Sequence, residues 1–548
     1  MQLLIPHSLF LLLSLLSFAP SSEGLRTKIR SVPRRRSLQN RAEPISGSTT
    51  DSVGNIPLND EQNTQYVGNL TISGAPFQVI IDTGSADLWV AGQIQDSTDL
   101  GVSTAIQYAV GKATGDVNTA TVDFAGYTVE KQAYLLVKDT STFTADLSSE
   151  GISGLVGLGP SSGSVILGAL GNSTGNTVLD NIFLQNTSTP NFISFLLQRD
   201  GDPTQSFSGE LTVGEIIAPF DNITSQPKLP VQVLDSSSRS AQHWTTTLDE
   251  DGIIGPDGQP IKISSIVPDN GGKLFAVIDS GFTLPQVPRK VSDAIYGRVQ
   301  GANYSVENSV WTIPCGQELN ISFKLGGVTF PVHPLDTSSS DFAMTNSKGE
   351  TVCVGTFQPI TSAFSLQGEF DLILGMGFLR NAYTLLDFGD FIAGSNGSTS
   401  DPYIQMISTT NPAEAHSDFV TARLKGIDTT SSSQYTLLPA GKGQTSPVPD
   451  GERVQHAEQK VIRYMPLIII VSGGILALAV GCCLWRWLKR RRLSRRNAAA
   501  LRSTAEGFRR GPYRPLDEPA PPPMHMQAMG SHSKNQEYGD PFASRERL

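Results

Sequence analysis

Two short segments carry the residues that could do chemistry, Asp82-Thr83-Gly84 and Asp279-Ser280-Gly281. Each follows a run of strand-forming residues, Phe77-Gln78-Val79-Ile80-Ile81 and Leu274-Phe275-Ala276-Val277-Ile278. Two carboxylates in the same local setting imply a duplicated half-site whose halves face each other. Like charges held that close cannot both ionise, so at acidic pH they share one proton. One aspartate can then act as general base on a water while the other gives its proton to a carbonyl. Such a pair hydrolyses a peptide bond without a metal or a covalent intermediate. The seven histidines are scattered and no Cys/His cluster has metal-ligand spacing, so neither metal nor cofactor is expected.

From Ile56 to about Gly394 the chain reads as short β-type runs separated by Gly, Asn, Asp, Ser and Pro. Tyr66–Ile72, Ala120–Phe124 and Ile321–Leu325 are examples, and Val178–Leu184 and Val291–Val299 are the better short helices. An all-β fold is expected. The region repeats itself. The Asp82 turn is followed by Ile152-Ser-Gly-Leu155-Val156-Gly157-Leu-Gly159, and the Asp279 turn by Leu372-Ile373-Leu374-Gly375-Met-Gly377. Glycines there would let a strand pass close behind each turn, where a Cβ would clash.

The rest of the 548 residues predicts a secreted, anchored protein. Leu9–Ala19 and the small residues after it mark residues 1–24 as a signal peptide. Residues 25–55 form a basic arm with Arg34-Arg35-Arg36 and Arg41, read as a propeptide cut after the arginines, or else as a disordered arm. Two lobes follow, 56–220 and 221–396, then a Ser/Thr/Pro-rich stalk over 397–463. Residues 464–488 hold an uncharged run, Met465–Trp485, long enough to span a bilayer and followed at once by Arg486, Lys489, Arg490, Arg491 and Arg492. A polar tail, 489–548, is then cytoplasmic, and its Tyr513-Arg-Pro-Leu516 has the spacing of an endosomal sorting signal. A single-pass type I protein at the plasma membrane, endosome or vacuole is expected.

Between Ile56 and Ser400 there are 35 Asp and Glu against 14 Lys and Arg, which argues against nucleic acid as a partner. Cys315 and Cys353 stand alone in the presumed ectodomain and are expected to pair, whereas Cys482 and Cys483 lie in the span. The glycosylation sequons at Asn69, Asn172, Asn186, Asn222, Asn303, Asn320 and Asn396 all precede the span.

Over residues 56–394 the chain resembles the pepsin-like aspartic protease family, in a fungal-type, membrane-anchored form. Phe77-Gln-Val-Ile-Ile-Asp82-Thr83-Gly84-Ser85-Ala-Asp-Leu88-Trp89-Val90 is similar to the family's first active-site segment, and Phe275-Ala-Val-Ile-Asp279-Ser280-Gly281-Phe282-Thr283 to the second. Glu210-Leu-Thr-Val-Gly-Glu, Ile313-Pro-Cys315 and Leu374–Asp387 match its flanking landmarks. The resemblance implies two β-lobes around a cleft, monomeric, with peptide or protein substrates bound over Asp82 and Asp279. It further implies that the Thr83 and Ser280 hydroxyls bond across to the opposite lobe and that Ser85 donates to Asp82. Tyr108 would be the flap tyrosine, supported by the Trp89 indole.

Two positions depart from the family pattern. The flap reads Tyr108-Ala-Val-Gly111, and Phe282 stands where a Thr or Ser would mirror Ser85. Without that hydroxyl Asp279 should hold its proton to higher pH, with Phe282→Thr expected to move the acidic side of the pH–rate profile downward. The alternative functions are a pepsin-fold glycoprotein that binds peptides without cutting them and a purely structural surface glycoprotein.

Overall fold

The structure is a computed structural model. It describes residues 55–61, 65–108, 111–139, 147, 151–199, 209–236, 238–267, 271–360, 369–448 and 480–497. Residues 1–459 and 460–548 form two separate units.

In the first unit, β1 (Gln65–Ile72) and β2 (Ala75–Asp82) form a hairpin, and β2 ends on the first aspartate. β3 (Leu88–Ala91) continues from the turn. Two long strands, β4 (Thr98–Tyr108) and β5 (Gly111–Phe124), make a second hairpin, with Tyr108 opposite Gly111 at its tip. β6 (Tyr127–Asp139) and β7 (Gly154–Gly157) complete the main ladder. β7 is the key strand. It runs parallel to β2, setting Asp82 beside Gly157, and antiparallel to β3. A Cβ on Gly157 would come within 2.5 Å of the Ala86 and Asp87 backbone, so only glycine lets this strand pass behind the turn.

The second half builds the same arrangement. After β8 (Phe192–Leu197) and β9 (Gly209–Val213), β10 (Thr245–Thr247) pairs with β11 (Phe275–Ile278), which leads into Asp279. β12 (Gln286–Val287) lies antiparallel to β13 (Leu372–Leu374), and β13 runs parallel to β11 with Ile278 beside Leu374. A Cβ on Gly375 would overlap the Phe282 carbonyl, as at Gly157. The expected repeat of aspartate turn and glycine strand is thus a structural repeat, and the fold is mostly strand.

A six-stranded sheet joins the halves. It orders Asn55–Pro57, β9, β8, β14 (Ala382–Asp387), β15 (Tyr403–Ser408) and Leu229–Pro230, so strands from both halves share one ladder. The short helices fall at Val178–Gln185 and Arg289–Tyr296, close to their expected places.

Of the expected stalk, 397–463, residues 449–463 lie outside the described residues and the rest is not a stalk. Residues 397–448 fold onto the second half instead of hanging free. β15 fills a ladder position, and α1 (Pro412–Leu424) buries Ala415, Phe419 and Val420. Beyond it, Ser446 donates to Asp293 (2.6 Å) and Leu438 N–H to the Arg298 carbonyl (2.8 Å). The second lobe therefore extends well past residue 396. The Ser/Thr-rich composition suggested a stalk, but three apolar side chains on one helix face decide the packing.

Cys315 and Cys353 form the expected disulfide, with a Cα–Cα distance of 4.9 Å. Six of the sequon asparagines are exposed; Asn186 is half-buried and donates to the Ile182 carbonyl (2.9 Å). The signal, the basic arm and most of the tail lie outside the described residues, as does 465–479 of the expected span. In the second unit, 480–497 is helical. Among the described residues no helix is long and apolar enough to cross a membrane.

Candidate active site

The two turns meet at the junction of the lobes. Thr83 N–H donates to Ser280 Oγ (3.0 Å), and Ser280 N–H donates to Thr83 Oγ1 (2.9 Å). Thr83 Oγ1 in turn donates to the Ile278 carbonyl (3.1 Å), and Ser280 Oγ to the Ile81 carbonyl (2.8 Å). All four groups are buried, so these reciprocal bonds fix the turns against each other with little freedom. The result sets the carboxylates of Asp82 and Asp279 within hydrogen-bonding reach of each other. A Cβ on Gly84 would overlap the Asp279 carboxylate, and one on Gly281 would overlap that of Asp82. Both glycines are therefore required by proximity alone.

The two aspartates are not equivalent. Asp82 receives Ser85 Oγ (2.5 Å) on its outer oxygen and the Gly84 N–H (2.8 Å) on the other. Asp279 receives backbone N–H groups, that of Gly281 at 2.8 Å and that of Phe282. Burial pushes both carboxyls above the usual range; donors pull Asp82 back, and the Asp82 charge drives Asp279 well up. Burial therefore favours a proton on the pair, and the rise is the larger at Asp279, which has no hydroxyl donor like that of Ser85. Phe282 packs instead on an apolar patch with Val277, Ile360, Phe370 and Ile373.

The larger rise lies at Asp279, so Phe282 bears on the alkaline limb of the profile and not the acidic one. A hydroxyl at position 282 would stabilise ionised Asp279 and lower its proton affinity. In Phe282→Thr the alkaline limb of a kcat/KM profile is therefore expected to move to lower pH, by roughly one unit. A profile superimposable on that of the parent protein would refute the role given to Phe282.

Tyr108 sits at the tip of the β4–β5 hairpin, with its hydroxyl in reach of Ser85 and the Trp89 indole. Burial and the Asp82 and Asp87 charges raise its phenol well above the ordinary value, so it stays a neutral donor. Gln107 Nε2 donates to the Tyr108 (2.9 Å) and Gly111 (3.0 Å) carbonyls and braces the tip, whose residues 109–110 lie outside the described set. Among the described residues, those singled out in the two turns meet at this junction, and Tyr108 of the flap reaches Ser85 and Trp89 there.

Sequence reasoning missed two features. His243 Nδ1 lies 3.1 Å from the Gly84 carbonyl. Behind the second turn, buried Asp336 accepts from Arg199 Nε (2.7 Å), Arg380 Nε (2.7 Å) and Asn381 Nδ2 (3.0 Å). No spacing signal marks either, because each depends on contacts between distant parts of the chain. Among the described residues no cluster could hold a metal ion.

A family model described as eukaryotic aspartyl protease matches residues 65–394. The chain is 28% identical to "Major aspartyl peptidase 1" of Cryptococcus neoformans var. grubii over 387 residues, 64% of this chain and 74% of that protein. It is 22% identical to "Probable aspartic-type endopeptidase CTSD" of Trichophyton verrucosum over 350 residues, 60% of each chain. The aspartic proteinase from Irpex lacteus, a solved structure, aligns at 20% identity and TM-score 0.48 over 65% of this chain and 97% of that one.

Proposed function

The chain belongs to the eukaryotic aspartyl protease family, and on that premise we propose that it is an endopeptidase in which Asp82 and Asp279 activate a water at acidic pH. The observation that carries this reading is two buried carboxyls set against each other by the interlocked turns, Asp82 with the Ser85 hydroxyl as a donor and Asp279 with backbone N–H donors alone. Ionised Asp82 takes a proton from the water as its oxygen attacks the peptide carbonyl carbon. Asp279 gives its proton to the carbonyl oxygen, producing a neutral gem-diol. Asp82 then passes its proton to the amide nitrogen while Asp279 recovers one from a diol hydroxyl, and the C–N bond breaks. The substrate lies extended under the β4–β5 hairpin, bonded by its backbone as an added strand. Closure of Tyr108 over it excludes water.

The chain acts as a monomeric, glycosylated ectodomain, released from its basic arm and tethered by residues 464–488 to a plasma or endosomal membrane. The hydropathy of Met465–Trp485 and the arginines after it support the tether. The test is cleavage of a denatured protein by the processed full-length chain between acidic and neutral pH, with a pepstatin-type inhibitor as check. Cleavage that the inhibitor blocks is expected. Binding of peptides with no cleavage at any pH would favour the non-catalytic reading, for which Phe282 beside Asp279 is the supporting observation.

A further inference from the structure

His243 precedes β10, whose register with β11 (Thr245 opposite Val277) carries position 243 alongside Asp279. Alternation sends the neighbouring Trp244 into the core, where its indole donates to the Leu158 carbonyl (3.2 Å), and turns His243 to the other face. There its ring reaches across to the opposite turn, with Nδ1 donating to the Gly84 carbonyl at 3.1 Å. Gly84 is the residue whose N–H donates to Asp82 Oδ1 (2.8 Å), so a single residue, through its two flanking peptide groups, links the imidazole to the carboxylate. Phe370 lies edge-on to the ring, with centroids 6.1 Å apart at 87°. Gln242 holds the segment by donating to the Gln232 (2.7 Å) and His243 (2.9 Å) carbonyls.

We propose that His243 is a positioning residue of the dyad. Its ring fixes the Gly84 carbonyl from the opposite lobe and, once protonated, keeps the negative charge of the pair on Asp82. The inference rests on the catalytic reading above. The charged group acting on the ring is Asp82. The other titratable groups on the elements that meet here are Arg239 before β10, Glu369 and Asp371 on either side of Phe370, and Asp279. Burial lowers the proton affinity of His243, and the Gly84 bond and the Asp82 charge oppose that, so the imidazolium forms toward the acidic side of the ordinary histidine range. A cation there favours ionised Asp82, extending the range of the singly protonated pair to lower pH.

The test uses the full-length chain with His243→Gln, whose amide can still donate to Gly84 but carries no charge. The acidic limb of kcat/KM is expected to move up by about half a unit to one unit, with KM at the optimum unchanged. At the acidic end this is a loss of roughly 3- to 10-fold. An unmoved limb would overturn the proposal. A second measurement needs no turnover: the 13C-histidine NMR titration of His243, its signal identified by His243→Gln. Because the coupling is reciprocal, Asp82→Asn is expected to lower the His243 midpoint by a similar amount. An unchanged midpoint would reject the charge coupling even if the protein cleaves nothing, and a lowered midpoint in an inactive protein would leave the coupling standing while the catalytic reading falls.

Discussion

Replacing Asp279 by Asn is expected to lower kcat by about 10³-fold or more, because it removes the proton donor to the carbonyl and leaves the charged partner unmatched. Asp82→Asn should be equally severe, since the two carboxyls act as one unit and their losses do not add. KM should change far less, as the flap and cleft backbone are untouched. Stability moves the other way. Both carboxyls have folded values raised above the unfolded value of 3.8, mainly by burial. A raised value contributes stability that is present in full below the unfolded value and is lost as pH rises through the folded one. Near neutral pH the wild-type pair therefore opposes folding, and Asp279→Asn removes that strain. The expected result is an inactive protein that melts at or above the wild-type temperature at neutral pH, measured by calorimetry beside a peptide-cleavage assay. An inactive variant that melts well below wild type would mean the loss came from misfolding.

The second large effect is structural. Asp336→Ala is expected to destabilise the protein by about 3–5 kcal/mol, since it strands the buried guanidinium groups of Arg199 and Arg380. For a domain of this size that is a fall in melting temperature on the order of 5 °C. The damage should reach the site. Arg380 closes the short helix Met376–Leu379, whose first N–H, from Met376, donates to the Phe282 carbonyl (2.8 Å) directly after the second turn. Asn381 adds a further tie, accepting from His333 N–H (2.9 Å) and from Thr410 Oγ1 (2.5 Å). A triple variant, Asp336→Leu with Arg199→Met and Arg380→Met, should recover most of the loss, because charges removed together leave none unpaired. Failure of the triple variant to recover would show that the cost lies in packing.

The pH dependence of this cluster has a definite sign. The guanidinium groups of Arg199 and Arg380 hold Asp336 below the ordinary carboxylate range despite its burial. A depressed folded value contributes stability that is present above the unfolded value and lost as pH falls through the folded one. The cluster thus keeps its charge across the acidic range in which the dyad carries a single proton.

The catalytic turns were legible because all their information is local. Strand, aspartate, hydroxyl and glycine follow one another within a few residues at both Asp82 and Asp279. The glycine strands behind them were legible for the same reason, a Cβ at Gly157 or Gly375 having nowhere to go. Long-range partners were not. Arg199 and Asp336 are 137 positions apart, and His243 and Gly84 are 159 apart, and no periodicity connects either pair. Residues 397–448 read as a stalk because composition averages over position. Their many Ser and Thr residues conceal Ala415, Phe419 and Val420, whose spacing places them on one buried face of α1.

In the proposed mechanism Asp82 and Asp279 share one proton unequally. The most direct test is the pH dependence of kcat/KM for the full-length wild-type chain on a defined peptide, with Asp82→Asn measured in parallel. The prediction is a bell with both limbs belonging to the coupled pair, and no measurable turnover in Asp82→Asn at any pH. Turnover in Asp82→Asn that follows the wild-type profile would contradict it.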